Sequence, residues 1–170
     1  PKGEDFGVQV GQRSEEGRRK FARYFAGALT ESAVVGEIAA RHKLWLITGA
    51  IEHAAQEASL YCSVLFFTPE GELAAKHRKV MPTAAERLIW GQGDTAPRVI
   101  ETPLGRLGAA ICWENYMPQL RLSLYRQNVQ LYCAPTVDSR ESWLSTMRHI
   151  AQEGRCFVLS ACQYQVDGDW

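Results

Sequence analysis

The chain has 170 residues, 46% of them hydrophobic and 22% charged, with nineteen basic residues against nineteen acidic ones. That balance leaves no overall field to draw in nucleic acid or an anionic membrane. No apolar run nears the roughly 20 residues of a membrane span.

The length suits one domain, or about half of a large one. Five cysteines (Cys62, Cys112, Cys133, Cys156 and Cys162) include no close CxxC pair and no histidine at a zinc-like spacing. An odd number of thiols, mostly inside apolar runs, suits reduced cysteines in a cytoplasm better than a disulfide framework. Pro1 to Asp5 hold no apolar signal core.

Residues 1–13 read as loop. Ser14 is a natural N-cap with Glu15 and Glu16 in the first turn, and Phe21, Tyr24, Phe25 and Ala28 fall on one helical face. A second helix is expected over Ser32–His42, with Val34, Val35, Ile38 and Ala39 inward. Leu44 to Ile51 is a continuous apolar run that predicts a strand buried on both faces, followed by a loop through Glu52 and His53 to Ser59. Tyr61–Phe67 and Glu72–Lys76 form a hairpin around Thr68-Pro-Glu-Gly71. A second hairpin joins Arg98–Glu101 to a strand over Arg106–Ile111, which delivers Cys112 to its C-terminal end. Pro118 starts a helix to about Asn128, with Leu120 and Leu124 as its buried stripe. Val129–Ala134 is a short strand. Asp138 and Glu141 give a capping-box pattern for a helix that buries Leu144, Met147, Ile150 and Ala151 and stops at Gly154. Cys156–Cys162 is the last strand. Strands alternating with helices, plus two hairpins, define a mixed α/β sheet protein.

Three features carry chemistry. A thiol at the carboxyl end of a strand sits where α/β sheets place their ligands, although free cysteine also packs well as a small hydrophobe. The run Lys76-His-Arg-Lys79 ends a strand and enters a proline turn, so it reads either as a solvated anion patch or as the holder of a pocketed lysine. Such an ammonium beside a thiol would favour the thiolate. Glu86 either pairs with Arg87 on the surface or points inward to orient the lysine or a water. Gly91-Gln-Gly-Asp94 is too short for a dinucleotide loop, no G-x-S-x-G marks a serine hydrolase, and His42, His53, His77 and His149 have no partner spacing. No cofactor or metal is expected.

Lys76-His-Arg-Lys79-Val-Met-Pro-Thr83, Glu86-Arg-Leu-Ile-Trp90-Gly-Gln-Gly-Asp94 and Cys112-Trp-Glu-Asn115 resemble the nitrilase branch of the carbon–nitrogen hydrolase superfamily. Cys133-Ala-Pro-Thr136, Met147-Arg-His-Ile-Ala151, Glu153-Gly-Arg-Cys-Phe-Val-Leu-Ser160 and the opening Pro1-Lys-Gly-Glu-Asp-Phe-Gly7 extend the resemblance over the whole chain, in order.

The resemblance implies a four-layer α-β-β-α sandwich and a single carbon–nitrogen hydrolase domain, partial, over residues 1–170. It implies Cys112 as nucleophile, Lys79 as charge stabiliser and proton donor, Glu86 as supporting acid and the Trp113 backbone N–H as a further donor. The family's general-base glutamate, which lies in a segment before the loop that Pro1 opens, is expected to be absent from the chain. Glu52 does not carry its motif. The implied substrate is a small nitrile with water, and the implied assembly is a homo-oligomer through the helices near 118–128 and 138–154. Cyanide hydratases or dihydratases and amide-forming nitrilases share the site, and a non-catalytic α/β assembly module is the reading from another class. On the same grounds the chain is expected to be an internal piece, with its first core strand absent and sheet edges left open.

Overall fold

The computed structural model describes Val10 and residues 12–29, 33–54 and 57–163. The opening Pro1–Gly7 segment therefore lies outside the described residues. So does most of the loop expected over 1–13; of its described residues Val10 is helical and buried, while Gln12 and Arg13 are exposed. The chain divides into two compact units, Pro1–Asp94 and Thr95–Trp170.

In the first unit, helix α1 (Glu15–Gly27) starts as expected, with Ser14 Oγ accepting from Gly17 N at 3.0 Å. Its Phe21, Tyr24, Phe25 and Ala28 pack against buried Leu60, Ile89 and Trp90. Helix α2 (Ala33–His42) is present, but Val34 is 68% and Ile38 46% exposed. Its buried stripe is turned towards Val35, Gly36 and Ala39. The cause is a close backbone approach: a Cβ on Gly36 would lie 2.3 Å from the Gly71 carbonyl oxygen, and Gly71 itself takes φ +89° in the hairpin turn. Small residues, not the larger apolar ones, set which face of α2 meets the sheet.

Strands β1 (Leu46–His53), β2 (Leu60–Phe67) and β3 (Leu73–Arg78) form one antiparallel sheet in that order. β1 pairs with β2 without a break, from Leu46 opposite Phe67 to His53 opposite Leu60. Two expectations are corrected here. β1 is half-buried with Gly49 exposed, because an antiparallel sheet can leave one face open. It also runs on through Glu52 and His53, since β2 and β3 supply cross-strand partners for the Glu52 carboxylate. Its outer edge takes a bridge from Leu29, whose N–H donates to Ile51 and whose carbonyl accepts from His53.

In the second unit, β4 (Ile100–Thr102) and β5 (Gly105–Ala109) form the second hairpin, with Gly105 at φ +125°. β5, β6 (Leu131–Cys133) and β7 (Phe157–Leu159) are parallel neighbours. Helices α3 (Pro118–Arg126) and α4 (Glu141–Gly154) make the crossovers. Ala110, Leu124, Val129, Tyr132, Ala134, Trp143, Met147 and Ile150 form the core between helices and sheet.

Three details depart from expectation. Leu144 is exposed, because Trp143, Met147 and Ile150 at i, i+4 and i+7 already fill the inward stripe of α4. The N-cap is Arg140, and Asp138 accepts from the Arg140 backbone N–H and guanidinium instead of closing a capping box. The left-handed residue after α4 is Arg155, at φ 49°. Gly154 is needed for room, since a Cβ there would lie 2.5 Å from the Tyr125 ring.

Gly36→Ala should destabilise the protein by about 1–3 kcal/mol through forced separation of α2 from the Thr68–Gly71 turn. Urea unfolding measures this, and an unchanged midpoint would contradict the close approach.

Candidate active site

Successive side chains of β3 point to opposite faces, and this alternation sorts the Lys76–Lys79 cluster. Lys76 Nζ (2.5 Å) and Arg78 Nη2 (2.7 Å) both donate to Oε1 of buried Glu52, and Ser63 Oγ donates to its Oε2 at 2.6 Å. Arg78 also lies 3.9 Å from the Tyr61 ring centroid. Burial alone would raise the Glu52 pKa, but the hydrogen bonds from Arg78, Lys76 and Ser63 outweigh it and hold the carboxyl down at about 2. Glu52 is thus a saturated structural anion.

Lys79 follows the strand and is 1% exposed. Its Nζ donates to Glu86 Oε2 at 2.8 Å and to Thr83 Oγ1 at 3.0 Å. The same Glu86 oxygen accepts from Thr83 N at 2.8 Å, so a one-turn 3-10 helix (Ala84–Leu88) fixes the carboxylate before the lysine meets it. The Lys79 backbone is pinned as well, with its N–H on Cys62 O and its carbonyl accepting from Gly93 N, both at 2.8 Å. Of the two readings of this cluster, the pocketed lysine holds. Glu86 points inward, and Arg87 instead donates to Pro82 O at 3.2 Å.

In the second unit Cys112 lies just past β5, at the carboxyl end of the parallel strands, and opens a 3-10 turn over Cys112–Tyr116. Its N–H donates to Pro135 O at 2.9 Å. Its φ is +50°, a left-handed conformation that non-glycine residues rarely adopt. Neighbouring polar groups hold that conformation. Glu114, fully buried, accepts from Ile111 N at 2.7 Å. Asn115 Nδ2 donates to the carbonyls of Ala110 (2.9 Å) and Cys112 (2.8 Å). Arg121 Nη1 donates to Asn115 O, and its Nε to Glu153, which also accepts from Tyr125 OH.

The Cys112 sulfur accepts from Thr136 Oγ1 at 3.2 Å. Trp113, 43% exposed, lies beneath the Arg140 guanidinium at 5.5 Å. Arg140 is in turn held by both oxygens of Asp138. None of the five cysteines forms a disulfide. Burial pushes the Cys133 thiol up to about 11 and raises that of Cys156, so neither is a ready nucleophile.

Lys79 and Glu86 therefore belong to the first unit and touch, while Cys112 and Trp113 belong to the second. The sequence reading gave no role to Thr136, to Arg121 or to the Glu52 partners. For Thr136 a signal was available, since it follows β6 as Cys112 follows β5. Among the described residues, no group of three or more His, Cys, Asp or Glu comes together to hold a metal.

The fold matches a crystal structure from Saccharomyces cerevisiae, a member of branch 10 of the nitrilase superfamily. The match has a TM-score of 0.76 at 20% identity and covers 86% of this chain and 59% of that one. The sequence pattern of the carbon–nitrogen hydrolases spans residues 9–169, and the chain belongs to that family. It is 52% identical over 175 residues to an aliphatic nitrilase of Sinorhizobium fredii, covering all of this chain and 56% of the relative. It is also 52% identical over 170 residues to Nitrilase 1 of Arabidopsis thaliana, covering 96% of this chain and 48% of that protein. The chain thus spans about half the length of the curated relatives it matches.

Glu86→Ala should cost about 3–5 kcal/mol by stranding the buried Lys79 ammonium. Lys79→Met combined with Glu86→Leu should recover most of that loss, so a double variant no more stable than Glu86→Ala alone would contradict a buried pair.

Glu52 has a folded-state pKa below the ordinary carboxylate value near 4.3, so its contribution is present above that pH and fades as pH falls towards about 2. Urea midpoints taken from pH 5 down to 2 should fall more steeply in the wild type than in Glu52→Gln.

Proposed function

We propose that the whole protein containing this chain hydrolyses a small nitrile to the carboxylic acid and ammonia. The observation that carries this reading is the 52% identity, over the full chain, to a protein named aliphatic nitrilase. The Cys112 turn and the buried Lys79–Glu86 pair support it, because they supply a nucleophile and a desolvated cation in one polypeptide.

In this reading the Cys112 thiolate attacks the nitrile carbon, forming a C–S bond as the C≡N bond becomes C=N. Lys79 stabilises the charge that develops on nitrogen and delivers a proton to it, a role that gains from a dry setting. The Trp113 N–H adds a second donor. Water then adds to the thioimidate carbon and ammonia leaves, giving a thioester. A second water releases the acid and restores the thiol. Glu86 holds the lysine in place. The water-activating base is not Glu52, whose low pKa and three cationic or hydroxyl donors leave it a poor proton acceptor.

The two units are read as parts of one hydrolase domain, a reading supported by a family pattern that runs through both. A homo-oligomer through α3 and α4 is supported by exposed Leu122 and Leu144. A cytoplasmic setting is supported by five cysteines of which none is in a disulfide.

The test uses the whole protein with an aliphatic nitrile, measuring ammonia, acid and amide. Cys112→Ala should abolish turnover, and Lys79→Ala should lower kcat/KM about a hundredfold or more. Ammonia release that survives Cys112→Ala would end the proposal.

A further inference from the structure

Thr136 is buried just beyond the C-terminal end of β6, next to the strand that delivers Cys112. Both its backbone groups are engaged, the N–H with Ala161 O and the carbonyl with Gln163 N, each at 3.0 Å. The extension of β7 therefore fixes the residue, and its side chain has little freedom.

The hydroxyl has two neighbours. Asp138 N donates to Thr136 Oγ1 at 2.9 Å, so the oxygen already serves as an acceptor. The hydroxyl proton is then directed to the other neighbour, Cys112 Sγ, at 3.2 Å. A hydroxyl has one proton to give, and a backbone amide has fixed where it goes. The sulfur is the better acceptor as a thiolate, and a hydrogen bond to the charged form favours that form.

We propose that Thr136 is a positioning residue for the nucleophile: its hydroxyl, oriented by the Asp138 amide, holds the Cys112 sulfur in one rotamer and stabilises its thiolate. This rests on the reading of Cys112 as nucleophile, and it adds a member from a different strand to the residues that act there. The other charged or titratable groups near Cys112 in this unit are Glu114 on its own turn, Asp138 and Arg140 in the loop after β6, and Tyr116. Glu114 is turned to the Ile111 amide, and Asp138 is held by Arg140. Among the described residues of this unit, the hydroxyl is thus the side-chain group in hydrogen-bond contact with the sulfur.

The experiment is alkylation of the whole protein by iodoacetamide, in which the thiolate displaces iodide and a C–S bond replaces the C–I bond. Modification is followed at the Cys112 peptide by mass spectrometry across pH 6–9. Thr136→Val keeps the shape and removes the hydroxyl. Cys112 should then react about tenfold more slowly at pH 7, with the pH profile displaced to higher pH. Thr136→Ser keeps the hydroxyl and should stay within about threefold of the wild type. Thermal melts of both variants check that the fold persists. If Thr136→Val left the rate and its pH profile unchanged, or Thr136→Ser slowed as far as Thr136→Val, the proposal would be overturned. Because the readout is thiol reactivity, its failure is separate from that of the nitrile-hydrolysis reading, which depends on turnover in Cys112→Ala.

Discussion

The first unit is built around an ammonium taken out of water. Burying a lone lysine charge costs several kcal/mol, and Lys79 meets that cost through a set of local devices. Pro82 turns the chain, Thr83 and Glu86 close a capping box that aims a carboxylate inward, and Gly93 returns to accept the approach of the β3 end. A Cβ on Gly93 would lie 2.2 Å from the Arg78 carbonyl oxygen, so the return segment passes too close for any side chain. The whole run from Lys79 to Gly93 reads as the enclosure of one cation. Glu52 completes the separation by binding Lys76 and Arg78 on the other face, which leaves Lys79 as the lysine of that run paired with Glu86.

The second unit solves a different problem, which is to hold a residue in a conformation its side chain disfavours. Glu114, Asn115 and Arg121 are buried polar groups, and each spends hydrogen bonds on the backbone around Cys112 or on the next member of the set. Glu153 ties Arg121 and Tyr125 of α3 to α4. Burial of so many polar side chains is tolerable only when their partners are in place. The Cys112 turn and the helix pairing behind it are therefore one structure.

Much of this was legible in the sequence because it depended on local rules. Ser14 before two glutamates, the Thr-Pro turns, Pro118 at a helix start and the apolar run into Cys112 each carry their own stereochemical reason. What could not be read was what depended on approach between distant segments. Val34 and Ile38 are the more apolar candidates for the face of α2, yet Gly36 wins because the hairpin turn comes within backbone contact. Leu144 loses to Trp143, which reaches across to Ser160 and through it to Ala134. Glu52 looked like a loop acid, because its three partners come from positions 63, 76 and 78. Of the candidate site, the pairing of Lys79 with Glu86 could be guessed from their separation. Thr136 was marked only by its place after a strand, since it takes the parallel register of β5 and β6 to bring it beside Cys112.

The left-handed backbone at Cys112 sets the interests of folding against those of reactivity. A non-glycine residue held there stores on the order of 1–3 kcal/mol that glycine would not. The strain is maintained by its surroundings and serves to present the thiol at the end of a strand. Natural drift at this position thus has a direction: a lineage that no longer needed the thiol could relax the turn and become the sturdier protein. Cysteine in such a conformation costs the fold stability that glycine would keep.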